Sequence, residues 1–107
     1  MAGQVLTVVS ATVENAREDD LRAAYEAVLD EKLPEGLLAS ALLRGDNNTW
    51  QIATLWRDRA ALDAMRAAAA PPAALRVFRQ VGVEPTLAVF QLVHGIQPAV
   101  EQLPQMP

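Results

Sequence analysis

Gly36-Leu37-Leu38-Ala39-Ser40-Ala41-Leu42-Leu43-Arg44, then Gly45-Asp46-Asn47-Asn48, then Thr49-Trp50-Gln51-Ile52-Ala53-Thr54-Leu55-Trp56, then Arg57-Asp58-Arg59-Ala60-Ala61-Leu62: this stretch decides the fold. Two apolar runs rich in strand formers flank a polar tip. The residues of that tip tolerate left-handed conformations and bond their own backbone, so they predict a hairpin. Asp58 is placed to cap a helix that starts as soon as the second strand ends. The hand-over from sheet to helix at Trp56 is where chemistry is expected.

Upstream, Val5 to Val13 is a strand with Val5, Thr7, Val9, Ala11 and Val13 on one side and Leu6, Val8, Ser10 and Thr12 on the other. Asn15 with Glu18 reads as a capping box. The helix it opens puts Leu21, Tyr25, Val28, Leu29 and Leu33 on one stripe, and Pro34 and Gly36 end it. Downstream, Leu62, Met65 and Ala69 recur at helical spacing until Pro71-Pro72. A shorter helical piece, Ala73 to Gln80, presents Leu75 and Phe78 together before Gly82 breaks the chain. Thr86 to His94 reads as the last strand. Residues 1–95 form one domain on this reading. Residues 96–107, a Pro-rich tail, are either disordered or an arm laid on a neighbour.

The order strand, helix, strand, strand, helix, strand is an α+β, ferredoxin-like βαββαβ pattern with the helices on one face of an antiparallel sheet. Leu87, Val89 and Val93 lie on one side of the last strand, and Ala88, Phe90 and Leu92 on the other. A sheet face that met water would alternate apolar with polar. The first and last strands are apolar on both sides, which predicts a homodimer packed sheet against sheet.

The 107 residues suffice for one domain with a real core. A net charge of −4 without a Lys/Arg stripe speaks against nucleic acid as a partner. Neither a membrane-spanning run nor a cleavable leader is read, and the absence of cysteine makes cytoplasm the expected compartment. One histidine, His94, gives no metal-ligand cluster, and neither a phosphate loop nor a nucleophile elbow is present.

A few side chains remain as candidates. Trp56 is either a core anchor or the floor of a ligand pocket, where its indole would offer an N–H. Arg76, on the short helical piece, is either a solvated charge or a cation aimed at an anionic or phenolic oxygen. Trp50 reads as an aromatic plug at the sheet edge or dimer seam, and His94 as a surface or seam histidine. Tyr25 reads as core with its hydroxyl at the rim. The expected pocket lies between the helix-covered sheet face and the second helix, lined by Leu62, Met65, Leu75 and Phe78.

Pro34-Glu35-Gly36-Leu37-Leu38 leading into Leu42-Leu43-Arg44, a strand closing on Trp56, and Asp58-Arg59-Ala60-Ala61-Leu62 opening a helix together resemble the antibiotic biosynthesis monooxygenase family of the dimeric α+β barrel superfamily. The resemblance runs from Val5 to Val93. In the polyketide-oxidising members the strand-end Trp is joined by an Asn four residues before it, a Tyr six after and an Arg twenty after. Here those positions hold Trp56, Ile52, Leu62 and Arg76. The haem-degrading branch needs a first-strand Asn, a second-helix Trp and a His beyond it, and this sequence lacks that set.

The resemblance implies a cofactor-independent monooxygenase acting on a small aromatic or polyketide-like substrate, with Arg76 and Trp56 catalytic. Leu62, Met65, Leu75, Phe78 and Tyr25 would contact the substrate, and neither cofactor nor metal is expected. Two alternatives use the same scaffold. One is a non-catalytic dimeric barrel that binds a small apolar or aromatic ligand. The other is an isomerase or cyclase drawing on Tyr25, His94, Glu26 or Asp63.

Overall fold

The strand-forming run at the start becomes β1 (Val5–Thr12), and after a single 3-10 turn the chain enters α1 (Glu18–Leu29). The hairpin forms β2 (Leu37–Arg44) and β3 (Thr49–Trp56), followed by α2 (Arg59–Arg66), α3 (Ala73–Gln80) and β4 (Thr86–Gln91). The computed structural model describes residues 3–68 and 72–95. All pairings are antiparallel and the strand order is β2-β3-β1-β4, the ferredoxin-like arrangement expected.

Local chemistry explains the best-formed junctions. Asn47 and Asn48 hold φ of 57° and 63° at the hairpin tip. The Gly45 N–H donates to the Thr49 carbonyl at 2.8 Å, so the turn closes the two strands. Asp58 accepts from the Ala61 N–H at 2.8 Å and caps α2 as expected, a bond worth about 1 kcal/mol.

Three local expectations need correction. Asn15 caps nothing: it lies in the 3-10 turn Asn15–Arg17, and α1 starts at Glu18 with no side-chain cap. Glu18, Asp19 and Asp20 in the first turn favour that end electrostatically instead. Leu33 lies beyond the end of α1 and is exposed. β4 stops at Gln91 rather than His94, because β1, its one neighbour among the described residues, runs out; the last link is Leu92 N–H to the Gln4 carbonyl at 2.9 Å. Val93 and His94 are therefore outside the sheet. Ala69, Pro71 and the tail from residue 96 lie outside the described residues.

Alternation sorts the sheet into two faces. The inner face carries Val5, Thr7 and Val9 of β1 with Trp50, Ile52, Thr54 and Trp56 of β3, all buried under the helices. Val9, Val13 and Trp50 pack there with Leu21 and Ala24 of α1 and Val77 and Phe78 of α3. On the outer face, register sets Leu6 between Leu55 and Phe90, and Val8 between Ala53 and Ala88. Phe90 is 52% exposed, and no described element covers this face.

Candidate functional site

Beside that core the inner face is hollow. A cavity of about 550 Å³ opens between the sheet, the end of α1, α2 and α3. Its wall is mostly apolar, with Ile52, Trp56, Leu62, Met65 and Leu75 among the lining side chains. That volume falls within the range of small-molecule sites, which commonly combine apolar walls with a few directed polar groups.

The polar groups on the floor follow from register. Thr54 on β3 pairs with Thr7 on β1 and with Ser40 on β2, which sets three hydroxyls in a row across the sheet. A bulge in β2 between Leu37 and Ala39 precedes Ser40. From α1, the Tyr25 hydroxyl meets the Ser40 hydroxyl at 2.9 Å. All four residues line the cavity. The Trp56 indole N–H donates to Thr7 Oγ1 at 3.2 Å, and the Thr7 hydroxyl donates on to the Thr54 carbonyl at 3.4 Å. The N–H of Trp56 is thus committed inside the protein, as the core-anchor alternative has it, rather than offered to a ligand. Its ring remains as wall.

Gly36 fixes how α2 meets this end of the sheet. It sits at φ +87°, and a Cβ there would overlap the Ala61 side chain of α2. Arg57 N–H bonds the Gly36 carbonyl at 2.8 Å, so β2 and the start of α2 are tied at this point. The close approach needs a residue without a side chain.

Exposed lining residues mark the mouth: the apolar Leu29, Leu33, Leu38 and Leu87, and the charged Glu31 and Lys32 after α1 and Arg66 at the end of α2. Arg76 of α3 is half-buried there and grips Glu31 with both arms of its guanidinium, at 2.8 and 3.3 Å. The hydrogen bonding from Arg76, aided by its charge, holds the Glu31 carboxyl below the ordinary glutamate value.

Arg76, Trp56, Leu62, Met65, Leu75 and Tyr25, scattered over three helices and a strand, all border this one cavity. Phe78 does not: it has no exposed surface, packs in the core under α1, and leaves the cavity to Leu75. Trp50 is likewise core rather than edge plug, only 4% exposed. His94 is exposed beyond β4, and neither it nor Glu26 nor Asp63 lines the cavity. Thr7, Ser40, Thr54, Glu31, Lys32 and Arg66 were not foreseen. Three of them had a legible signature, as hydroxyl residues interrupting the apolar inner sides of β1, β2 and β3.

Neither a family model nor a curated protein matches the sequence. Solved structures do. One, named a "putative antibiotic biosynthesis monooxygenase" from Caulobacter crescentus, is 16% identical with TM-score 0.66, covering 87% of this chain and 92% of its own. Another so named, from Deinococcus radiodurans, is 11% identical with TM-score 0.68 over 88% of this chain and 97% of its own. A heme-degrading protein from Mycobacterium tuberculosis is 22% identical with TM-score 0.63, over 92% of this chain and 100% of its own. At these identities the likeness establishes the fold, an α+β ferredoxin-like sheet shared with proteins of those names.

Proposed function

We propose that this chain is a cofactor-independent monooxygenase for a small aromatic or polyketide-like substrate. The observation that supports it most is the joint lining of one apolar cavity by the Trp56 ring, the hydroxyl row and the Arg76 guanidinium. Ile52 and Leu62 also line it, so the walls favour a flat hydrocarbon body. The linked Tyr25 and Ser40 hydroxyls, with that of Thr54, are the polar groups on this floor left to meet a phenolic or ketone oxygen, since the Thr7 hydroxyl already serves Trp56 and the Thr54 carbonyl.

An anthrone-type substrate illustrates the chemistry. Its ring CH₂ loses a proton to solvent at the mouth, and the resulting anion is stabilised by Arg76, more strongly in a dry site than in water. The anion gives one electron to dioxygen. The superoxide and carbon radical so formed combine through a new C–O bond, and protonation gives a hydroperoxide. Loss of the remaining C–H proton expels hydroxide as the O–O bond breaks. The products are one ketone and one water, which accounts for both atoms of dioxygen.

Purified protein should consume oxygen with anthrone and place one ¹⁸O from ¹⁸O₂ in the quinone. Arg76→Ala should slow turnover by about 100-fold. Oxygen uptake no faster than the buffer rate, or equal rates in Arg76→Ala, refutes the assignment. One feature favours a second reading, a binding barrel without turnover: the charge of Arg76 is already met by Glu31. Ligand binding without oxygen uptake selects it.

Two copies are further proposed to pack outer face to outer face through Leu6, Val8, Leu55 and Phe90. The cavity lies on the opposite, helix side of each sheet, so pairing does not roof it. Leu6→Glu with Phe90→Glu should convert a sedimenting dimer to monomer. A monomeric parent protein at micromolar concentration ends this part of the proposal.

A further inference from the structure

The charges of this chain are distributed unevenly around the cavity. Seven of its nine lysines and arginines are ion-paired: Arg17, Arg22, Arg44, Arg57, Arg59, Arg76 and Arg79. Among the described residues, the two that meet no carboxylate are Lys32 and Arg66. Both line the cavity mouth, one just past α1 and the other in the last turn of α2. Glu31 is the sole carboxylate among the described lining residues, and Arg76 already engages it. In a protein of net charge −4 the mouth is thus locally cationic.

We propose that the ligand of this cavity carries a carboxylate, held at the mouth by Lys32 and Arg66 while its aromatic body lies along Trp56, Leu62 and Leu75. The proposal rests on the cavity being a small-molecule site, and it names the substrate class as an aromatic acid. Lys32 and Arg66 reach one cavity from separate elements, and an anion that both can meet makes two charge-assisted contacts. The apolar walls meanwhile take the ring, so body and head group are recognised by different parts of one pocket. A basic residue at the end of α2 also suits the helix dipole. That accounts for Arg66 alone, and it predicts an effect on stability rather than on ligand choice.

The test uses two fluorescent probes of one shape, anthracene-9-carboxylate and the neutral 9-anthracenemethanol, titrated into the full chain at low ionic strength. The carboxylate should bind about tenfold more tightly than the alcohol, with Lys32→Met and Arg66→Met each removing about threefold of that preference. The double variant should show a ratio near one, and Lys32→Glu should also lower it. Salt at about 0.5 M should narrow the ratio in the parent protein, because exposed charges are screened. Melting curves of the variants separate this from a dipole effect on α2. Equal affinity for the two probes, or a ratio unchanged in the double variant, overturns the proposal while leaving the cavity a ligand site. Binding of neither probe overturns it together with the small-molecule assignment. Failure to oxidise anthrone has no bearing on the ratio.

Discussion

Trp50 and Trp56 stand on the same face of β3 and are equally buried, at 4% and 3% exposure, yet one is set in solid core and the other walls a hollow. Over Trp50, α1 and α3 close on each other, and Leu21, Val77 and Phe78 fill the space. Outside it, Arg44 and Arg22 lie over the ring at 4.9 and 5.9 Å, with Glu18 bonded to both guanidinium groups. Near Trp56 the cover is α2, eight residues long; Val5 and Leu37 stand directly across the sheet, and the Thr7 hydroxyl takes its indole N–H. One residue type on one strand serves two purposes, and what the helices bring above it decides which. The end that is filled holds the fold, and the other end keeps a cavity of about 550 Å³.

The largest effect should come from opening the filled end. Phe78→Ala is expected to cost about 3–5 kcal/mol in urea unfolding, because the core closes only in part around a lost ring. Leu75→Ala, one turn away but facing the cavity, should cost no more than about 1.5 kcal/mol. Equal losses would mean that the two ends do not differ as described.

Next is the joint that sets α2 over Trp56. Gly36→Ala places a side chain at positive φ and against Ala61. A loss of about 2–3 kcal/mol is expected, together with weaker binding of any cavity ligand, since α2 must move. Full stability in this variant would show that α2 is held elsewhere.

What the sequence disclosed follows the reach of the interactions concerned. The Asn47-Asn48 turn and the Asp58 cap are settled within four residues, so their chemistry is visible in the chain itself. The two-faced sheet was legible because alternation is a local property. β4 was read too long because its end depends on where β1 starts, far away in sequence. Leu75 and Phe78 share a stripe of α3, yet one faces the cavity and the other the core, since docking of a short helix is not written in its spacing. Trp56 and Arg76 could be named as candidates, but the partners that limit them, Thr7 and Glu31, lie 49 and 45 residues off. Only strand register and helix packing bring those together.

A smaller effect probes the hydroxyl row. Thr7→Val keeps the shape but removes the acceptor of the Trp56 N–H, leaving a buried donor unsatisfied at about 1–2 kcal/mol. Thr7→Ser should recover most of that loss in thermal unfolding. If Thr7→Val is neutral, the Trp56 N–H does not depend on Thr7 and is open to a ligand after all.

The smallest effect lies at the mouth, where both partners of the Arg76–Glu31 pair are partly in water. Glu31 is held below the ordinary glutamate value, so the contribution of the pair is complete at neutral pH and is lost as pH falls through the depressed value. Exposure keeps the change in melting temperature slight, and ligand binding is the sensitive readout. Glu31→Gln should bind 2-naphthalenesulfonate, which stays ionised throughout, about threefold more tightly than the parent at pH 7, because Arg76 then joins Lys32 and Arg66 around the anion. On acidification the two proteins should converge, and convergence must come below the ordinary glutamate value rather than at it. If they differ equally at pH 7 and pH 3, the carboxylate of Glu31 is not what restrains Arg76.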